Sequence, residues 1–88
     1  MNENVFRERA EKEGYKVDKP NSVSPNKHNA KHSHPFDAQV MVLEGSITIG
    51  CSGESTTYGP GDTCSMLSET PHTETVGADG VTLLVARR

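Results

Sequence analysis

The sequence has few of the side chains that usually fill a hydrophobic core. It contains no Trp, its aromatic residues make up 5% of the chain, and 32% of its 88 residues are hydrophobic. A chain of this length is expected to form one domain that buries only about 60% of the surface its unfolded form would expose. We therefore predict that dimerisation, a bound metal ion or both add to its stability.

The sequence also lacks the features of several classes of protein. The formal net charge is −3 and there is no basic run, so we expect no nucleic-acid partner. No apolar stretch approaches the roughly 20 residues that span a bilayer, so no membrane partner is expected either. The charged N-terminus lacks the apolar centre of a signal peptide, which predicts a cytoplasmic protein.

Sequence patterns of nucleophilic and phosphate chemistry are missing as well. There is no phosphate-binding glycine loop, no Ser-His-Asp arrangement and no Cys-x-x-Cys pair. We interpret the two cysteines, Cys51 and Cys64, as small, partly buried residues, because a disulfide is not expected in the cytoplasm. The alternatives are a pair that oxidises or a thiol close to a metal ion.

The N-terminal residues predict a short helix over residues 4–13. Asn4 is placed to cap it, Phe6 and Ala10 share one face, and Gly14 ends it. We expect this helix to pack against the domain or a dimer partner. The stretch from 19 to 31 is polar and rich in turn residues, which predicts a loop or an irregular edge. The predicted division is a helix with a lead-in strand in 1–19 and a barrel domain in 20–88.

From His32 onward the sequence predicts a series of short β-strands. Their starts lie near Gln39, Ser46, Ser55, Thr63, His72 and Val81. Turn residues separate them at 52–54, 59–62, 68–71 and 77–80. Short strands at such even spacing are typical of a small all-β sandwich or barrel. The apolar run 40–43 predicts a strand covered on both faces, the second cover being, for instance, another subunit.

Two histidines stand one residue apart, at positions 32 and 34. On an extended strand such residues point to the same side, so His32 and His34 predict two neighbouring imidazoles. Imidazole is a common metal ligand, and His72, which opens a later predicted strand, is the candidate for a third ligand. His28 is interpreted as solvated. The alternative interpretation is that both histidines of the pair lie on an exposed strand edge and bind no metal.

These residues resemble the two conserved motifs of the cupins. His32-Ser33-His34-Pro35 followed by 42–45 is similar to the first motif, and Gly61-Asp62 through Pro71-His72 is similar to the second. The resemblance covers about residues 23–86. It implies a six- to eight-stranded double-stranded β-helix, or jelly-roll barrel, that forms a homodimer. It also implies a divalent metal ion held by histidines inside the barrel.

The sequence departs from the cupin pattern at the position of the metal-binding glutamate, which holds Ala38. Either of the neighbouring residues Asp37 and Gln39 could approach the metal if the strand carries a bulge. We therefore predict His32, His34 and His72 as ligands, with Gln39 and Asp37 as further candidates. Asp37 has the alternative role of capping the turn after Pro35. The sequence leaves iron, zinc, nickel and manganese open.

Two polar residues are candidates for chemistry near the predicted metal. Glu74 shares a strand face with His72, which makes it a candidate for an outer hydrogen-bond acceptor, a ligand or a general base, with an exposed rim position as the alternative. Gln39 is a candidate for holding a substrate or a metal-bound water. We predict a metal-dependent enzyme of oxygenase, isomerase or lyase type that acts on a small polar or anionic molecule. The alternatives are a sensor or binding module without catalysis and a metal-stabilised structural dimer.

Overall fold

The structure, a computed structural model, describes residues 1–88 as one helix followed by seven strands. The elements are α1 (Glu3–Lys12), β1 (Lys16–Val17), β2 (Asn21–Val23), β3 (His28–His32), β4 (Ala38–Cys51), β5 (Glu54–Tyr58), β6 (Thr63–Met66) and β7 (His72–Arg87). The helix α1 is not long and apolar enough to cross a lipid bilayer.

Two long strands, β4 and β7, organise the sheet. They pair with each other in antiparallel fashion, β7 also pairs with β1, β2 and β3, and β4 also pairs with β5 and β6. Because each long strand pairs with different partners along its length, the sheet curls around an interior. This arrangement confirms the predicted all-β barrel with a short N-terminal helix. The predicted domain division at residue 19 stays a prediction.

The helix forms almost where the sequence predicts it. Its N-cap is Asn2, whose side chain accepts a hydrogen bond from the backbone N–H of Val5 at 2.9 Å, so the predicted cap at Asn4 is wrong by two residues. Gly14 follows the helix with a φ of 85°, a left-handed conformation that favours glycine and ends a helix.

The predicted strand starts at Ser46 and Val81 are wrong, because β4 and β7 continue through these positions. Residues 77–80, interpreted as a turn, lie inside β7. The strands bend at Gly45 and Gly80, which have φ values of 76° and 79°, and the register of β4 against β7 shifts on both sides of the bend. A bulge of this kind bends a strand without ending it. The polar stretch from 19 to 31 forms the edge strands β2 and β3, in agreement with its prediction as an irregular edge.

The two faces of β4 contribute to two separate hydrophobic clusters. One cluster lies inside the barrel and consists of Val42, Ile47, Ile49, Val76 and Val81. The other lies between the sheet and α1 and consists of Phe6, Ala10, Tyr15, Met41, Leu84 and Ala86. The chain's own helix therefore covers the second face of the run 40–43. Phe6 is 3% exposed, and burial of such a side chain contributes about 1.5–3 kcal/mol.

Candidate metal centre

The structure brings the three predicted histidines together. His32 ends β3, His34 lies two residues beyond, and His72 opens β7 directly opposite His32 in the strand register. One ring nitrogen of each histidine lies within 4.8 Å of those of the other two. The ring centroids are 4.5 Å apart for His32 and His72 and 4.9 Å apart for His32 and His34.

Backbone hydrogen bonds fix the orientation of two of the rings. Nδ1 of His32 lies 2.7 Å from the carbonyl oxygen of Ala30, and Nδ1 of His72 lies 3.0 Å from that of Thr70. Because a carbonyl oxygen only accepts, each Nδ1 carries the proton and donates it. Each Nε2 is then left with a free lone pair when the ring is neutral. This is the tautomer of a metal-binding histidine whose other nitrogen is held by the backbone.

The deeper of these nitrogens has no partner within the chain. His72 is 2% exposed, and its Nε2 is buried without a hydrogen bond. A buried polar atom without a partner costs about 1–3 kcal/mol, whereas a coordinated metal ion would satisfy this one. The three imidazoles therefore fit a divalent metal ion.

Glu74 lies beside the histidine nitrogens, as the alternation from His72 predicts. Its Oε1 is 3.7 Å from Nε2 of His32, and its Oε2 is 3.6 Å from Nε2 of His72. Nδ2 of Asn29 donates a hydrogen bond to Oε1 at 2.9 Å, and Asn29 is directly opposite Glu74 in the pairing of β3 with β7. The site thus has a carboxylate, but one that comes from β7.

The surroundings of His34 favour its neutral form. Burial lowers the pKa of His34 below its ordinary value, and the neighbouring His32 and His72 lower it further, whereas the charge of Glu74 acts in the opposite direction. A lowered pKa keeps the ring neutral to a lower pH. Neutral imidazole is the form that binds a metal ion.

The structure does not bring Gln39 to the histidines. Ala38 and Val40 line the interior cavity, so the alternation of the strand turns Gln39 to the outer face. There its Nε2 donates a hydrogen bond to Oε2 of Glu13 at 3.0 Å. The pairing of β4 with β6 runs without a shift from Ala38 to Met41, so the bulge on which the prediction depended is missing.

Asp37, the other candidate ligand, has a structural role. Its Oδ1 accepts a hydrogen bond from the backbone N–H of Ser68 at 2.8 Å, and its Oδ2 lies 3.5 Å from Nε of Arg88. Its backbone exchanges two hydrogen bonds with that of Arg88. Asp37 therefore caps the turn at 68–71. The sequence had instead suggested that it caps the turn after Pro35.

A cavity of about 450 Å³ lies inside the barrel beside the histidine cluster. Most of its wall is apolar and comes from Val40, Val42, Ile47, Val76, Leu83 and Val85, among others. Of the residues around the cluster, His34 and Glu74 line this cavity. The arrangement suits a small molecule whose polar group meets the histidines while its body contacts the apolar wall.

Two residues next to this cavity, Asn29 and Phe36, were not predicted from the sequence. Asn29 lies in the stretch interpreted as loop or edge, and only the strand register shows that it faces Glu74. Phe36 stacks on His34 with ring centroids 5.1 Å apart, and the guanidinium of Arg87 lies 5.5 Å from the Phe36 ring. The position of Phe36 two residues after His34 is the feature of the sequence that could have predicted this contact.

Both cysteines are free thiols in the structure. Cys64 lies on β6, and its side chain lines the cavity. Burial, and to a lesser degree the charge of Glu74, raises its pKa to about 11.

Comparison with known proteins identifies the fold. No family model and no curated protein matches the sequence. Among solved structures, a protein of unknown function from Rhizobium leguminosarum bv. viciae matches with a TM-score of 0.76 and 20% identity, over 83% of this chain and 68% of its own. A cupin-2 domain protein from Shewanella frigidimarina matches with a TM-score of 0.68 and 18% identity, over 82% of this chain and 68% of its own.

An enzyme is also among the matching structures. The polyketide cyclase RemF from Streptomyces resistomycificus matches with a TM-score of 0.67 and 24% identity, over 83% of this chain and 52% of its own. The chain thus spans between 52% and 68% of the lengths of these three structures. The agreement in fold confirms what the resemblance of the two motifs implied: the chain is a small cupin in its fold, with its three predicted histidines gathered beside the cavity of the barrel.

Proposed function

We propose that this protein binds a divalent metal ion through His32, His34 and His72 and is a metal-dependent enzyme that acts on a small molecule in the barrel cavity. The observation that carries the proposal is the buried Nε2 of His72, which has no partner in the chain and lies among two further imidazoles and a carboxylate. Iron, zinc, nickel and manganese are all compatible with imidazole ligands.

The chain's own residues prepare the site for such an ion. The carbonyl groups of Ala30 and Thr70 hold the rings of His32 and His72 in one orientation. Glu74 adds a negative charge that would offset part of the charge of a bound ion. A divalent ion bound there would supply a Lewis acid that polarises an oxygen of the substrate or lowers the pKa of a water molecule.

The cavity supports a substrate with two chemically different ends. Such a substrate would meet His34 and Glu74 with its polar or anionic group and the valine and leucine side chains of β4 and β7 with its apolar body. The volume of about 450 Å³ lies within the range of roughly 300–1,000 Å³ that is usual for ligand sites. A site that served only to stabilise a dimer would need no such cavity, which disfavours the structural alternative.

The matching structures include an enzyme that acts on small molecules, which supports the proposal, but they do not specify a reaction for this chain. RemF is a polyketide cyclase by name, and one fold hosts many functions. Oxygenase, isomerase and lyase chemistry are the classes that we propose to test. The homodimer and the cytoplasmic location stay predictions.

The first test is the metal content of the protein purified without an affinity tag or chelator, measured by elemental mass spectrometry. We expect about one ion per chain in the parent and loss of the ion in the variants His32→Ala and His72→Ala. His28→Ala is the matched control, because His28 lies outside the cluster and its Nδ1 contacts Oγ1 of Thr75 at 2.8 Å. No metal in the parent, even after incubation with each of the four ions, would overturn the proposal.

The identity of the ion then directs the search for a substrate. Iron would favour an oxygen-using enzyme, and zinc or nickel would favour a hydrolytic, isomerising or purely binding role. Turnover should be screened with small molecules that join a carboxylate, hydroxyl or thiol group to an apolar body. A bound metal together with tight binding and no turnover of such compounds would favour the binding-module alternative.

A further inference from the structure

We propose that Glu74 is the fourth protein ligand of the metal site and that Asn29 is the residue that positions it. This inference rests on the metal site of the proposed function and goes beyond it. The sequence left three roles open for Glu74, namely an outer acceptor, a ligand and a general base. It assigned no role to Asn29.

The distances around Glu74 are those of groups that share an ion. Two atoms that are each about 2.1 Å from one metal ion lie at most about 4.2 Å apart. The two oxygens of Glu74 are 3.7 Å and 3.6 Å from Nε2 of His32 and of His72, which is within that limit. They are also too far from these nitrogens for a hydrogen bond. At these distances the carboxylate and the imidazoles are not hydrogen-bonded to each other, and one ion between them would contact both.

Asn29 leaves one oxygen of Glu74 available for this purpose. Its Nδ2 donates to Oε1 at 2.9 Å, whereas no hydrogen bond of the chain engages Oε2. Oε2 is the oxygen next to the unpartnered Nε2 of His72. The Glu74 side chain is 19% exposed, so the hydrogen bond from Asn29 lies in a partly buried place where it restrains the carboxylate effectively.

The interior wall explains why the carboxylate has to come from β7. On β4, Ala38 faces the cavity, but its methyl group offers no ligand atom, and its polar neighbours are engaged elsewhere. Glu74 faces the same cavity. It is the carboxylate next to the histidine nitrogens, and it restores the negative charge that a site with Ala38 at this position lacks. The result is a site of three imidazoles and one carboxylate.

The test uses cobalt(II) as the probe, with affinity from competition against a chelator and coordination from the visible absorption spectrum. We expect Glu74→Ala to weaken cobalt binding about a hundredfold or more and to change the spectrum of the saturated protein, because a ligand is lost. We expect Asn29→Ala to weaken binding about tenfold, the lower end of the range for residues that hold a ligand, with the spectrum at saturation unchanged. Thr75→Ala is the control, because Thr75 is exposed and its side chain contacts His28 rather than the cluster.

Each result bears on a separate statement. If Glu74→Ala leaves affinity and spectrum unchanged while His72→Ala abolishes binding, the ligand role of Glu74 is wrong and the histidine site stands. If Asn29→Ala leaves the affinity unchanged, its positioning role is wrong. A parent that binds no cobalt would instead overturn the proposed function itself. Thermal unfolding of each variant without metal shows whether the fold is intact, so that a change in affinity reports on the site.

Discussion

At the scale of single residues, the side of a strand that a side chain occupies decides its chemistry. In the pairing of β4 with β6, Gln39 lies opposite Ser65, and the next residue, Val40, lies opposite Cys64. Gln39 therefore contacts Glu13 on the outer face, whereas Cys64 lines the cavity. The apolar surroundings of Cys64 disfavour its charged form, and the nearby charge of Glu74 adds to the effect. The thiol is therefore a partly buried, weakly reactive group.

This environment predicts slow alkylation of Cys64. The rise of its pKa to about 11 leaves, below pH 9, about a hundredfold less thiolate than an ordinary cysteine has, and the thiolate is the reactive form. In the variant Cys51→Ser, where Cys64 is the only thiol, iodoacetamide should react at pH 8 at least about a hundredfold more slowly with the folded than with the urea-unfolded protein.

The pH dependence of the alkylation rate tests the raised pKa of Cys64 separately from the access of iodoacetamide to the thiol. Because the pKa is raised, the rate for the folded protein should continue to rise with pH up to about 11. A rate that levels off near pH 9 would contradict the raised pKa.

At the scale of elements, the barrel depends on two strands that bend without ending. Gly45 pairs with Val81 at the bend, and its backbone passes close to that of Gly80. A Cβ at position 45 would collide with the carbonyl oxygen of Gly80, and a φ of 76° is unfavourable for any other residue. The bend joins the half of β4 that pairs with β6 to the half that pairs with β5. It thereby shapes the cavity.

Gly45→Ala should consequently destabilise the protein more than its backbone angle alone explains. We expect a loss of about 2–4 kcal/mol in the free energy of unfolding, of which the left-handed φ accounts for about 1–2 kcal/mol. Gly53→Ala is the matched control, because Gly53 has a φ of 80° but open space around its Cβ position. Urea unfolding of both variants measures the difference, and equal losses would show that the close approach to Gly80 contributes nothing.

At the scale of the whole molecule, stability rests on a small core divided between two clusters. The chain buries 15 of its 88 residues, and the barrel interior keeps a cavity instead of filling it. One of the buried residues is His72, with its unpartnered nitrogen. A metal ion that binds the folded chain would link the edge strand β3 to the start of β7 and stabilise the fold through that link.

Metal binding should therefore raise the thermal stability markedly. At a free ion concentration of about a hundred times Kd, the stabilisation is about 2.7 kcal/mol. For a domain of this size this amounts to an increase in Tm of about 10 to 20 °C. Calorimetry with and without the ion should show this shift in the parent and in His28→Ala but not in His72→Ala. A shift of the same size in His72→Ala would place the binding elsewhere.

The sequence by itself determined the features that depend on neighbouring residues. The helix follows from the spacing of Phe6 and Ala10 and from Gly14. The proximity of His32 and His34 follows from their separation of two residues, although β3 ends at His32. The spacing of turn residues predicted an all-β barrel, and the two histidine motifs indicated the cupin fold. These signals are local, because propensity, capping and side-chain alternation act over a few residues.

Only the tertiary structure decided what depends on strands far apart in the chain. The register of β3 against β7 places Asn29 opposite Glu74, and the unshifted pairing of β4 with β6 turns Gln39 away from the histidines. The bends at Gly45 and Gly80 join segments that local turn residues had divided. A shift of one residue in register exchanges the two faces of a strand. Such a register is set by the packing of the whole barrel, which is why the sequence alone left the carboxylate of the site open.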